Sequence, residues 1–131
     1  MAMWDWTPRH DDADAVAFGN TPSYVFWASA PIANYVLGRW SAANTLQVEV
    51  NDGAASNAAW NTGGGVILAG TTYKMMLLLM GATVVLFVDG VPRVTVTPAG
   101  GFNFGADIPN TMFWGAEPTP SLAGDATFGE P

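Results

Sequence analysis

The apolar residues of this chain recur at every second position far more often than at every third or fourth. Leu46-Gln-Val-Glu-Val50 alternates strictly, which turns Leu46, Val48 and Val50 to one side and Gln47 and Glu49 to the other. Asn51-Asp52-Gly53 then supplies turn chemistry. Arg93-Val-Thr-Val-Thr97 alternates in the same way, with Val94 and Val96 inward. Two further runs, Tyr73 to Met80 and Val84 to Val88, are apolar at nearly every position, the pattern of central strands covered on both faces, or on one face by a second sheet and on the other by a partner. The turn between them is Met80-Gly81-Ala82-Thr83, and Asp89-Gly90 is the sharpest hairpin signal, because both residue types tolerate positive φ. Pro92 cannot donate to a sheet ladder, so its strand begins at an edge.

Weaker strand signals cover Val16 to Phe18, Tyr24 to Ala28, Asn34 to Trp40, Met112 to Trp114 and Ala126 to Phe128, with loops at Asn57 to Gly65, Pro98 to Asn110 and Glu117 to Asp125. No stretch has helical periodicity. Nine to eleven short strands at this spacing predict an all-β, antiparallel β-sandwich of jelly-roll type. The expected organisation is an extended N-terminal arm over residues 1–14 and a single sandwich domain over 15–131. Trp4 and Trp6 alternate in the arm, and period two places them on one side of an extended segment. They clip either onto their own sandwich or onto a neighbouring subunit by strand addition.

Composition sharpens this picture. The chain has 131 residues, of which 50% are hydrophobic and only 11% charged, with a net charge of −7. Roughly 25% charge is usual for a soluble domain, so part of this surface is expected to be covered by a partner. With 4 Lys+Arg against 11 Asp+Glu there is no basic footprint for nucleic acid or for an anionic membrane. The absence of cysteine excludes a disulfide scaffold, a thiolate zinc site and a cysteine nucleophile. The start lacks the basic and apolar regions of a signal peptide, and the apolar run Met75 to Val88 is too short to span a bilayer.

Three segments together carry a family resemblance. Tyr35-Val-Leu-Gly-Arg39 followed by Thr45-Leu-Gln-Val-Glu-Val-Asn-Asp-Gly53, then Gly70-Thr-Thr-Tyr-Lys-Met-Met-Leu-Leu-Leu79, then Val84-Val-Leu-Phe-Val-Asp-Gly90 are similar, in order and spacing, to motifs of the laminin-G-like, concanavalin A-like jelly rolls. The resemblance runs from about Val16 to Trp114 and implies the fold; such folds host lectins, hydrolases, adhesion modules and virion proteins. Phe128-Gly-Glu-Pro131 falls where many members continue through another strand, so that sheet edge is expected to be short or completed by another chain.

Candidate chemistry is sparse. Glycoside hydrolysis needs two carboxyl groups facing one cleft. No predicted strand here carries acidic residues at alternate positions, and Glu49 stands between two valines. The single histidine, His10, sits in the arm, away from any predicted triad scaffold. No enzyme activity and no cofactor are therefore expected. Calcium wants six to eight oxygens, and Asp52, Asp89, Asp107 and Asp125 lie in turns or loops that offer some. Asp before Gly already suits a tight turn, however, which accounts for Asp52 and Asp89. Gly63-Gly64-Gly65 lacks the Lys and Ser/Thr of a phosphate loop and reads as a plain loop.

The unplaced apolar residues, Met3, Trp4, Trp6 and Phe128, are the interface candidates. Trp60, flanked by Asn57 and Asn61, is the glycan-binding candidate, because an aromatic face with amides beside it suits a sugar. The expected function is a non-catalytic structural protein that works by protein–protein contact: a decoration protein on the virion surface of a tailed phage. It would be assembled in the host cytoplasm, bound to the major capsid protein and to copies of itself. The alternative is a lectin-like glycan-binding or host-attachment module. On the arm reading, deleting residues 1–8 would weaken assembly and spare the fold.

Overall fold

The computed structural model describes residues 1–13, 24–29, 34–52, 55–98, 111–114 and 126–129. Ten strands run through them: β1 (Ala2–Pro8), β2 (Tyr24–Ser29), β3 (Asn34–Ala42), β4 (Thr45–Asp52), β5 (Ala55–Asn61), β6 (Tyr73–Met80), β7 (Thr83–Val88), β8 (Val91–Val96), β9 (Thr111–Trp114) and β10 (Ala126–Gly129). They form two five-stranded sheets, one in the order β10-β1-β6-β7-β8 and the other β5-β4-β3-β2-β9. The pairings are antiparallel. Of β2, β9 and β10 the backbone alone is described.

The alternation in the sequence sets which face of each strand is buried. In the first sheet Trp4, Trp6, Tyr73, Met75, Leu77, Val84, Leu86, Val88, Val94 and Val96 turn inward. In the second sheet Val36, Trp40, Leu46, Val48 and Val50 meet them. Register confirms the shared face: Trp4 lies opposite Met75 and Met75 opposite Val88, while Trp40 lies opposite Leu46 and Leu46 opposite Trp60. Trp6 crosses the gap between the sheets, with its ring 5.7 Å from Trp40 and 6.0 Å from Tyr73, both tilted. Such tilted aromatic pairs add to the area they bury.

The tight turns follow the residues that tolerate positive φ. Asp89 (φ 50°) and Gly90 (φ 77°) make the β7–β8 hairpin, the combination a two-residue turn of type I′ needs. Gly81 (φ 59°) turns β6 into β7, and Asn44 (φ 59°) turns β3 into β4.

Two expectations are corrected. The segment expected to stand off as an arm is β1, which lies inside the first sheet between β10 and β6. Trp4 and Trp6 are accordingly 2% and 1% exposed, so they belong to the core and not to an interface. Asn57 to Asn61, expected in a loop, is the end of β5, paired along its whole length with β4. The strand expected at Val16 to Phe18 and most of the two later loops lie outside the described residues.

Candidate functional site

Among the described residues, the outer face of the first sheet is unusually apolar. On β6 the inward Tyr73, Met75 and Leu77 alternate with outward Lys74, Met76, Leu78 and Met80. Register sets Met3 beside Met76, Met76 beside Phe87, and Leu78 beside Val85. The result is an apolar field across β1, β6 and β7, with Met3 48% and Met80 59% exposed and Met76, Leu78 and Phe87 partly exposed. Of the outward residues on these three strands, Asp5 and Lys74 carry charge. They hold each other at 2.6 Å, so the face is close to neutral in a chain of net charge −7.

The outer face of the second sheet is different. Tyr35 Oη donates to Glu49 Oε1 at 2.6 Å, and Arg39 Nη2 donates to Glu49 Oε2 at 2.9 Å. Arg39 Nε also reaches Gln47 Oε1 at 3.3 Å. Burial, and then the Glu49 carboxylate it serves, push the Tyr35 phenol above its ordinary value. Glu49 is thus tied into a polar row with Tyr35, Arg39 and Gln47, and register brings Asn57 beside it.

A third cluster ties together segments far apart in the chain. Asp12 is fully buried, and its carboxylate accepts hydrogen bonds from Thr62 Oγ1 (2.6 Å) and from the N–H groups of Gly65 (2.8 Å), Val66 (3.1 Å) and Ile67 (3.2 Å). Its backbone N–H donates to Ile67 O, and its carbonyl accepts from the Asn44 N–H. Burial alone would raise the Asp12 carboxyl, but these bonds, Thr62 first among them, outweigh it and hold the carboxyl below its ordinary value. Gly63, Gly64 and Gly65 all have positive φ, which bends the loop so that the amides of residues 65–67 converge on one carboxylate. A Cβ on Gly64 would also stand 3.1 Å from Asn44 Oδ1. The anion this loop cradles is supplied by the chain itself.

The residues singled out in the sequence are distributed as follows. Met3 lies on the apolar outer face. Phe128 lies on β10 opposite Trp6, and its side chain is outside the described residues. Trp60 packs against the core, and the Arg93 guanidinium lies over its ring, 4.5 Å from the centroid. Asn57 and Asn61 are exposed on the other face of β5, so the strand does not gather the three residues into one platform. Asp89 serves its hairpin: Oδ1 accepts the Lys74 N–H at 2.8 Å, and its own N–H donates to Lys74 O. The side chain of Asp52, and Asp107 and Asp125 entirely, are outside the described residues. No cluster of three or more His, Cys, Asp or Glu placed to hold a metal occurs among the described residues.

No protein-family model matches the chain, and no curated relative matches its sequence. Among solved structures it is similar to domains LG4–5 of the mouse laminin α1 chain, at 14% sequence identity and a TM-score of 0.60. The fold is laminin-G-like. The similarity covers 98% of this chain and 32% of the solved LG4–5 chain, so this sandwich spans about a third of that chain's length. Fold alone carries no further functional meaning, which must come from surfaces.

Proposed function

We propose that this laminin-G-like sandwich is a non-catalytic module that works through protein–protein contact, and that the outer face of its first sheet makes the contact. The observation that carries the reading is the exposed apolar field of Met3, Met76, Leu78, Met80 and Phe87, with its charge confined to one ion pair. Contiguous apolar surface of this kind marks interaction sites, and methionine adapts its shape to a partner at little cost. The more specific form of the proposal is a decoration protein of a tailed-phage capsid, which would place the chain on a virion surface. Its support is the family resemblance and the shortage of surface charge.

The test uses two lysines on the apolar face. Met76→Lys with Met80→Lys should leave the melting temperature within a few degrees of the parent, since both side chains reach solvent. Occupancy of the assembly that carries the parent chain should fall at least about tenfold, because the lysines must be desolvated there. Occupancy at the parent level would remove the face from this role. The polar row on the second sheet favours a second reading, a lectin-like module. Glycan binding that survives the lysine pair but is lost in Asn57→Ala with Gln47→Ala would promote it.

A further inference from the structure

Among the described residues the two sheets have four edge strands, β10 and β8 in the first and β5 and β9 in the second. An edge offers unpaired N–H and C=O groups to any other strand, and proteins usually blunt it. Three of these edges are blunted. β9 and β10 are four residues long. β8 carries Pro92, which has no N–H, and a register shift against β7 that leaves Arg93 out of the pairing. β5 carries none of these devices. Its seven residues, Ala-Ser-Asn-Ala-Ala-Trp-Asn, contain no charge and no proline, and they pair with β4 from Asn51↔Ala55 to Thr45↔Asn61 without a shift. Ala55, Asn57, Ala59 and Asn61 are all exposed.

We infer that β5 is a dimerisation edge, and that its occupant is β5 of a second copy of this chain, antiparallel and centred on Ala58. The sequence of the strand selects this partner. Outward positions read Ala, Asn, Ala, Asn along the strand and Asn, Ala, Asn, Ala in reverse. Centring on Ala58 therefore sets Asn57 of each copy against Ala59 of the other, and Ala55 against Asn61. Each amide meets a methyl group, and no two bulky or charged groups meet. On the inward side Ser56 meets Trp60. The strand itself is uncharged in a chain of net charge −7, and the charged groups beside it are Arg93, over Trp60, and Glu49, next to Asn57 and paired with Arg39, so no net negative charge gathers where two copies would meet. The interface is isologous, and it joins two five-stranded sheets into one continuous sheet. This inference is independent of the apolar outer face, which belongs to the other sheet.

The experiment is sedimentation velocity over a concentration series on the full chain and on two double variants, Asn57→Lys with Ala59→Lys and Asn57→Glu with Ala59→Glu. All the changes fall on exposed positions, and thermal melting checks that the fold is kept. The parent should dimerise. Each variant alone sets like charges against each other at two symmetric places and should weaken the dimer about tenfold or more. An equimolar mixture of the two variants should regain a dimer, now heterotypic, because each lysine meets a glutamate. A parent that stays monomeric throughout, a lysine variant that dimerises as well as the parent, or a mixture that fails to pair would each overturn the inference. Loss of the dimer in Met76→Lys with Met80→Lys, with the β5 variants still dimeric, would assign association to the apolar face instead.

Discussion

Asp12 carries a charge with none of its surface in water, and it survives there because four donors surround it. Removing the carboxylate takes the acceptor from three backbone N–H groups, of which that of Ile67, on a fully buried residue, has no route to solvent; the Thr62 hydroxyl keeps Asn44 O within reach at 3.3 Å. An unsatisfied buried donor costs about 1–3 kcal/mol, so Asp12→Ala should destabilise the chain by about 2–3 kcal/mol, read by chemical denaturation. The pH dependence has a definite sign. The folded carboxyl titrates below its unfolded value, so its contribution is fully present above the unfolded value of about 3.9 and is lost as the pH falls through the lower folded value. Asp12→Asn should flatten this acid limb of the stability profile, and an unchanged acid limb would free Asp12 of the role. Nothing in the sequence pointed to this residue. It lies in a run of polar residues, its hydrogen-bond partners lie some 50 positions away, and a buried carboxylate shows no periodicity. The glycine run Gly63 to Gly65 was visible, but the anion it holds was not.

At the scale of the element, β1 shows what the pattern contained and what it hid. Ala2-Met-Trp-Asp-Trp-Thr-Pro8 alternates as a half-buried strand should, with Trp4 and Trp6 inward and Met3, Asp5 and Thr7 outward. The acidic and polar residues that follow outweighed that signal, and β1 pairs with β6 and β10, some 70 and 120 residues away, where no local reading reaches. β6, β7 and β4 were legible because their apolar runs are long and their turns contain Gly, Asn or Asp. β5 was not, because Ala, Ser and Asn are poor strand formers and Trp60 is its one large side chain packed on the core, beside the small Ala58. Deleting residues 1–8 therefore does not spare the fold. It removes Trp4, Trp6 and the hydrogen-bonding partner of two strands, and the truncated chain should lose cooperative thermal unfolding and its near-ultraviolet aromatic signal. Adding a peptide of residues 1–12 should restore both in part; a truncated chain that melts like the parent would show that β1 is dispensable.

For the whole molecule, the decisive quantities are its few charges and where they lie. Seven net negative charges oppose the meeting of two copies, yet neither the β5 edge nor the apolar face of the first sheet contributes to that repulsion beyond the paired Asp5 and Lys74. Short-range contact holds such copies together while long-range charge pushes them apart. Salt shortens the reach of charge, from about 30 Å at 0.01 M to about 8 Å at physiological strength, and leaves backbone pairing and apolar contact nearly untouched. Dimerisation of the parent chain should therefore tighten as salt rises from low to physiological concentration, with the effect falling mostly on the association rate. An interface built on complementary charge would respond in the opposite direction, because salt would screen its attraction. Sedimentation at low and physiological ionic strength separates the two: a dimer that weakens with salt would mean that charged surfaces outside β5 make the contact, and the edge would then be a bystander to assembly.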